Sequence, residues 1–235
     1  MDPGTLPVHR LIFMISRTDM NSTAWRASPL WRRLCATAHA VGPEDLAAAA
    51  HVMASAFSDD PSIRYLLGGQ SMGCEDWKYF DCILKSVHGK CAMLSTSGRI
   101  HDLLVLLPPP LHAIPARSFF ANGGFGLCSD FGWGLVRRSL RYEKNCRAMK
   151  KRFATPRTWY CLCLAVSPLW QGRGLASRLL RPVLDALDSH QASLYLETHK
   201  PKHVSMYTHL GFETVDRAPI PGTDIMQLSL IHISE

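Results

Sequence analysis

The residues best suited to chemistry lie in the stretch SPLWQGRGLA, positions 167–176. It follows the β-preferring run TWYCLCLAV (158–166) and precedes an amphipathic helical pattern, which sets it at a strand-to-helix junction. Gly172 and Gly174 let the backbone bend and approach a ligand closely, and the amides from Gly172 to Ala176 are the unpaired donors of a helix N-terminus. Such a turn is a ready site for an anion, a phosphate above all. Glycine at a helix start is common on its own, so the surrounding elements decide the reading.

Other reactive side chains are numerous but poorly grouped. Of eleven histidines, His199, His203 and His209 lie close in sequence, yet no carboxylate or thiolate stands at helical or hairpin ligand spacing beside them, so no metal site is expected. The eight cysteines form no C-x-x-C pair and no secretory signal precedes them, which favours a reduced, cytoplasmic protein. Cys161 and Cys163, two apart on a strand, are expected to share one face and to pack there.

The chain has 235 residues, 47% hydrophobic and 19% charged, enough for one domain with extensions. No run approaches the ~18 apolar residues of a membrane span. Residues 1–32 are expected to be a disordered or artefactual extension and 33–227 the domain. Residues 228–235 (LSLIHISE) resemble a translated sequencing-library adapter and are expected to be a non-native tail. Within the domain, 33–40 reads as a first strand and 42–61 as a helix with Pro43, Glu44 and Asp45 in its first turn. A helix over 74–90 and two strands about Ser97-Gly98 follow.

Residues 134–153 read as a helix with Val136, Leu140, Cys146, Met149 and Phe153 inward and basic residues outward. Residues 137–157 hold nine Lys or Arg against Glu143 alone, although the net charge of the whole chain is +7. That helix is a solvated face or a patch for an anionic group; without interleaved aromatics it does not indicate nucleic acid. The helix after the glycine turn contains Pro182, which normally costs about 3 kcal/mol, so a kink or an early stop is expected there. A strand over 193–199, a helix over 202–210 and a closing antiparallel pair complete the pattern.

QGRGLA, framed by Ser167-Pro168 before it and YLETHKPKHVSMYTHLGFE about thirty residues on, resembles the two cofactor motifs of the GNAT superfamily of N-acetyltransferases. Over about residues 40–227 the chain is most similar to the puromycin N-acetyltransferase group: AFSDDP, WY, VSPLWQGRGLA, LL-x-PVL, YLET and Y-x-x-x-GF. The cofactor half carries the specific motifs; 58–153 is similar only in architecture. The resemblance implies an α/β (α+β) fold, with a mixed, mostly antiparallel sheet splayed between its fourth and fifth strands and flanked by helices.

It also implies acetyl-CoA as co-substrate. The pantetheine arm would pair with Leu164, Ala165 and Val166, and the pyrophosphate would sit on the amides of Gly172, Arg173, Gly174, Leu175 and Ala176, helped by the side chains of Gln171 and Arg173. Tyr207 stands at the family's position for the acid that protonates the departing thiolate, and His203 lies where relatives often carry Asn. The central strand lacks the carboxylate of many relatives, so Glu197 is the candidate base, facing the gap if Tyr195 does.

The acceptor side is rich in aromatics, with Phe57, Tyr65, Phe119, Phe120, Phe125, Phe131, Trp133 and Trp159 available to wall a pocket, and residues 111–153 hold no acidic cluster. The expected reaction is direct attack, in a ternary complex, by the primary amine of a small molecule, in a monomer or homodimer. The alternatives are a protein or peptide N-acetyltransferase, which would want an open acidic groove, and a non-catalytic acyl-CoA-binding module, which would bury Glu197 and Tyr207 in the core.

Overall fold

The computed structural model describes residues 24–69, 76–111 and 113–234. In chain order the elements are α1 (Pro29–Thr37), β1 (His39–Ala40), α2 (Leu46–Ala56), α3 (Pro61–Leu66), α4 (Trp77–Val87), β2 (Ala92–Ser95) and β3 (Asp102–Leu107). Next come α5 (Ala116–Phe119), a π-helical turn (Phe120–Gly124), α6 (Phe125–Phe131), α7 (Gly134–Phe153) and β4 (Thr158–Val166). The C-terminal part then supplies α8 (Leu175–Asp188), β5 (Ser193–Thr198), α9 (Lys202–Thr208), β6 (Glu213–Pro219) and β7 (Met226–His232).

The strands form one sheet in the order β1-β2-β3-β4-β5-β7-β6, antiparallel throughout except for the parallel pair β4–β5. Both faces are covered, which is why DLLVLL in β3 is apolar without alternation and buried along its whole length. On one face α2 and α4 pack with Leu103, Val105, Leu107, Cys163 and Tyr195. On the other, α1 and α8 pack with Leu104, Leu106, Trp159, Leu194 and Leu196. Among the described residues no helix is long and apolar enough to cross a membrane.

Several expectations are corrected here. Most of 33–40 is helix: Ser28 Oγ accepts from Trp31 N at 3.2 Å, Pro29 occupies the first turn, and Leu30 and Leu34, one turn apart, are buried against the α8 side. The Ser-Pro start and the alanines outweigh the weak strand signal, so the fold begins before residue 33. Residues 1–23 of the expected extension lie outside the described residues. At the other end, residues 228–232 sit inside the sheet, with β7 between β5 and β6.

Helix α8 runs through Pro182 to Asp188 as one element. Leu179, Leu180, Val183, Leu184 and Leu187 are all buried. At about 1.5–3 kcal/mol per buried side chain they outweigh the ~3 kcal/mol proline penalty. Cys161 and Cys163 do not share a face. Leu106 pairs with Cys161 and Val105 with Cys163, so Leu162 is an extra residue on β4. This bulge sends Cys161 into the α8-side core and Cys163 into the opposite one.

The bulge also marks where the sheet opens. β4 and β5 are paired from Thr158↔Ser193 to Cys161↔Leu196. Beyond that, 163–166 keep only β3 as partner while Glu197 and Thr198 keep only β7.

Candidate active site

The gap between the splayed strands leads into a cavity of about 840 Å³, walled by β4, β5, α2, α3, α4, α7 and α9. The 20-residue α7 lies across it. Arg138 Nε donates to Leu66 O of α3 at 2.8 Å, Asn145 Nδ2 donates to Gln227 Oε1 of β7 at 2.9 Å, and Arg152 pairs with Asp216 of β6 at 2.6 Å.

At the end of β4 the chain makes a 3-10 turn (Pro168–Trp170) and then the glycine loop. Gly172 and Gly174 both have φ of +76°, and a Cβ on either would meet nothing within 4 Å, so their conformation requires glycine while the space before them stays open. Leu175 is buried and anchors the start of α8, with Ala176 half-buried after it. The two side chains expected to reach phosphate are engaged locally. Gln171 Nε2 donates to Val166 O at 3.0 Å, and the Arg173 guanidinium lies 4.7 Å from the centre of the Trp170 ring, itself stacked on His101 at 4.1 Å. Leu164 lines the cavity, Ala165 is buried toward the α2 side, and Val166 is half-buried at the loop.

Glu197 lines the cavity one residue past the last β4–β5 pair. Its Oε2 accepts from the Tyr160 hydroxyl at 2.6 Å, while the buried Oε1 has no hydrogen-bond partner among the described residues. Burial pushes the carboxyl up from its ordinary range; the Lys150 ammonium and the Tyr160 and Tyr195 hydroxyls oppose it. Tyr195 lies on the same side, packed near Tyr160 with its hydroxyl on Ser229 Oγ at 2.6 Å.

Tyr207 on α9 also lines the cavity, with its ring edge-on to Phe212 at 5.5 Å. Burial raises its phenol, and the thiols of Cys161 and Cys163 add to this, so it keeps its proton at neutral pH. His203, one turn earlier, lines the cavity too; burial and then Lys200 and Lys202 lower its imidazole, so it favours the neutral form.

Sequence reasoning missed part of the wall. His199 Nδ1 lies 3.9 Å from Asp60 Oδ1 and its Nε2 3.4 Å from the Tyr142 hydroxyl. Asp60 also caps α3 through Ser62 N at 2.9 Å. Glu143, read only as the lone acid of a basic helix, faces inward; burial raises its carboxyl, as does Glu197. Lys150 is buried as well, against the expectation of outward basic residues, whereas Lys144, Arg147 and Lys151 are exposed at the cavity's edge. The inward stripe Leu135, Tyr142, Cys146 and Met149, at spacings of three, four and seven, was the signal available for this.

Of the eight aromatics proposed for the acceptor wall, Phe57, Phe119 and Phe120 line the cavity. Tyr65 and Phe131 pack on the core, Phe125 and Trp133 are exposed, and Trp159 is buried on the opposite face. Tyr79, Phe80, Tyr142 and Tyr160 complete the aromatic lining. Among the described residues no group of three His, Cys, Asp or Glu is placed to hold a metal ion.

Comparison with known proteins agrees with this geometry. A profile described as the acetyltransferase (GNAT) family matches residues 131–212, from the end of α6 to the turn after α9. The fold is shared with a structure described as histone acetyltransferase HPA2 and related acetyltransferase from Corynebacterium glutamicum, at 18% identity and TM-score 0.60, covering 85% of this chain and 96% of that one. It is shared with arylalkylamine N-acetyltransferase 2 from Aedes aegypti, at 14% identity and TM-score 0.54, covering 84% and 98%. An acetyltransferase of the GNAT family from Desulfovibrio desulfuricans matches at 14% identity and TM-score 0.50, covering 83% and 96%. α7, the splayed strands, the glycine loop and α9 all lie inside the segment that matches the acetyltransferase (GNAT) family, and the match together with the shared fold supports an N-acetyltransferase.

Proposed function

We propose that this protein transfers the acetyl group of acetyl-CoA to a primary amine of a small molecule by direct attack in a ternary complex. The observation that carries the reading is one cavity lined by Glu197, Tyr207 and a wall of aromatic rings. Two features fit acetyl-CoA: the open space before Gly172 and Gly174, and the β4 backbone past Cys161 that has no partner on the β5 side. When bound, it supplies a thioester whose acetyl carbon bonds to the amine nitrogen as the carbon–sulfur bond breaks.

The protein's own groups then move the protons. Glu197 accepts the proton that the amine must lose, and its raised basicity brings it nearer to that task than an exposed carboxylate. Tyr207 gives its phenolic proton to the departing thiolate, whose basicity (thiol pKa ~8.5) is below that of the buried phenol, so the transfer relies on a charge-assisted hydrogen bond that tightens as the bond breaks. An amide of the central strand, at Ala165 or Val166, receives the negative charge developing on the acetyl oxygen.

For the acceptor, the rings of Phe57, Phe80, Phe119 and Phe120 favour a flat apolar body, and Lys144, Arg147 and Lys151 disfavour a polycation. An aryl or nucleoside-type amine such as puromycin fits best, and the fold's likeness to an arylalkylamine acetyltransferase is consistent with it. The test is a thiol-release assay with acetyl-CoA giving kcat/KM for puromycin, an arylalkylamine, an aminoglycoside and a lysine-rich peptide in one buffer. Preference for either of the first two supports the reading; preference for the aminoglycoside or the peptide refutes it.

A further inference from the structure

We infer that Lys150 is a positioning residue that sets the basicity of Glu197 through the ring of Tyr160; this rests on Glu197 being the base. Lys150 is 4% exposed, whereas the adjacent Lys151 and Arg152 on α7 are exposed. Taking an ammonium out of water is costly unless the site compensates it. Its Nζ stands 3.3 Å from the centre of the Tyr160 ring, close enough for a cation–π contact. The hydroxyl of that same ring donates to Glu197 Oε2 at 2.6 Å. A cation over the ring withdraws electron density and makes the phenol a better donor, which favours the ionised carboxylate at the other end.

The position of this relay matters. Tyr160 pairs with Tyr195 just before the ladder ends, and Glu197 is the first β5 residue past it, so the hydrogen bond spans the two strands where they part. Lys150 stands against the ring, outside the cavity lining, and acts on Glu197 both through Tyr160 and directly through its charge.

The groups around Glu197 make the need for a cation plain. α7 brings Tyr142, Glu143, Cys146 and Lys150, β4 brings Tyr160 and Cys161, and β5 brings Tyr195. Burial pushes Glu197 toward protonation, and burial together with Glu197 does the same to Glu143; Lys150 is the largest opposing influence on both carboxylates.

The experiment is a kcat/KM–pH profile of the full chain with acetyl-CoA and one fixed amine, for the wild type, Lys150→Met, Lys150→Arg, Tyr160→Phe and Glu197→Gln, each checked for a cooperative melt. The acceptor's own ionisation is common to all five. Glu197→Gln is expected to abolish the acid limb assigned to the base. Lys150→Met is expected to move that limb up by about one pH unit, an approximately tenfold loss on its acid side with recovery at alkaline pH, while Lys150→Arg leaves it within a few tenths. A role in packing alone would lower the rate at every pH and leave the limb in place, which overturns the inference. If Lys150→Met does not fold, Lys150→Gln takes its place with the same two outcomes; Tyr160→Phe, which removes the hydrogen bond to Glu197 while keeping the ring, must raise the limb as well, and an unmoved limb there also overturns the inference. A Glu197→Gln enzyme with the wild-type limb instead overturns the assignment of the base.

Discussion

Cys161 and Leu196 are the final pair of the parallel ladder, and the next residue of β4, Leu162, is the bulge that has no partner on β3. One position therefore both turns the strand and opens the sheet. Backbone groups on the open side of 162–166 are expected to be covered by coenzyme A. Adding it should slow amide hydrogen exchange in a peptide spanning 162–166 and leave Tyr160 and Cys161, already paired on both sides, unchanged. Equal exchange in 162–166 with and without coenzyme A would count against strand-like binding of the cofactor.

The glycine loop predicts a different pair of results. Acetyl-CoA should raise the Tm of the wild type, because it binds only the folded state. Gly172→Asp and Gly174→Glu place a carboxylate in the open space before the loop, at φ of +76°, and are expected to abolish that shift while costing roughly 1–2 kcal/mol of stability. Gly172→Ala carries the same backbone strain without the charge, and should keep more of the shift. A normal shift in both acidic variants sinks the phosphate-loop assignment.

Tyr207→Phe retains the edge-on contact with Phe212 and removes only the hydroxyl. The expected loss is on the order of 10²-fold in kcat, with KM for acetyl-CoA little changed. Unaltered turnover would return Tyr207 to a packing role.

Glu197 also has a consequence for stability. Its folded-state pKa is raised above the ordinary 4.5, so the unfolded chain loses this proton first as the pH climbs. Below about pH 4.5 both states hold the proton and no penalty exists; above it the penalty grows until the folded carboxyl ionises. Glu197→Gln is therefore expected to raise Tm at pH 7.5, and to raise it by less at pH 5. A Tm unchanged or lowered at pH 7.5 contradicts the raised carboxyl.

The elements around the glycine loop were legible because their signals are local. The glycines at 172 and 174, the strand before them and the leucine stripe of α8 each report on their own neighbourhood, and the resemblance reached Tyr207 through the fixed spacing to Gly211-Phe212. The acceptor half was not, because its decisive contacts are between distant segments. His199 meets Asp60 and Tyr142, and Lys150 meets Tyr160, across intervals that no periodicity records. Two local rules also failed for physical reasons: strand alternation at Cys161 and Cys163 was broken by the Leu162 bulge, and the proline penalty at Pro182 was overcome by burial of the leucines around it. The aromatics split between cavity, core and surface because composition carries no direction.

The stack of Trp170 on His101, with the Arg173 guanidinium against the same ring, gives the glycine loop an optical signature of its own. The emission of an indole depends on the groups against its faces, so it is expected to change when the Arg173 guanidinium leaves the ring for a phosphate. Trp170 is thus expected to turn occupancy of the loop into a fluorescence change, readable by comparison with a Trp170→Phe variant and independent of any turnover.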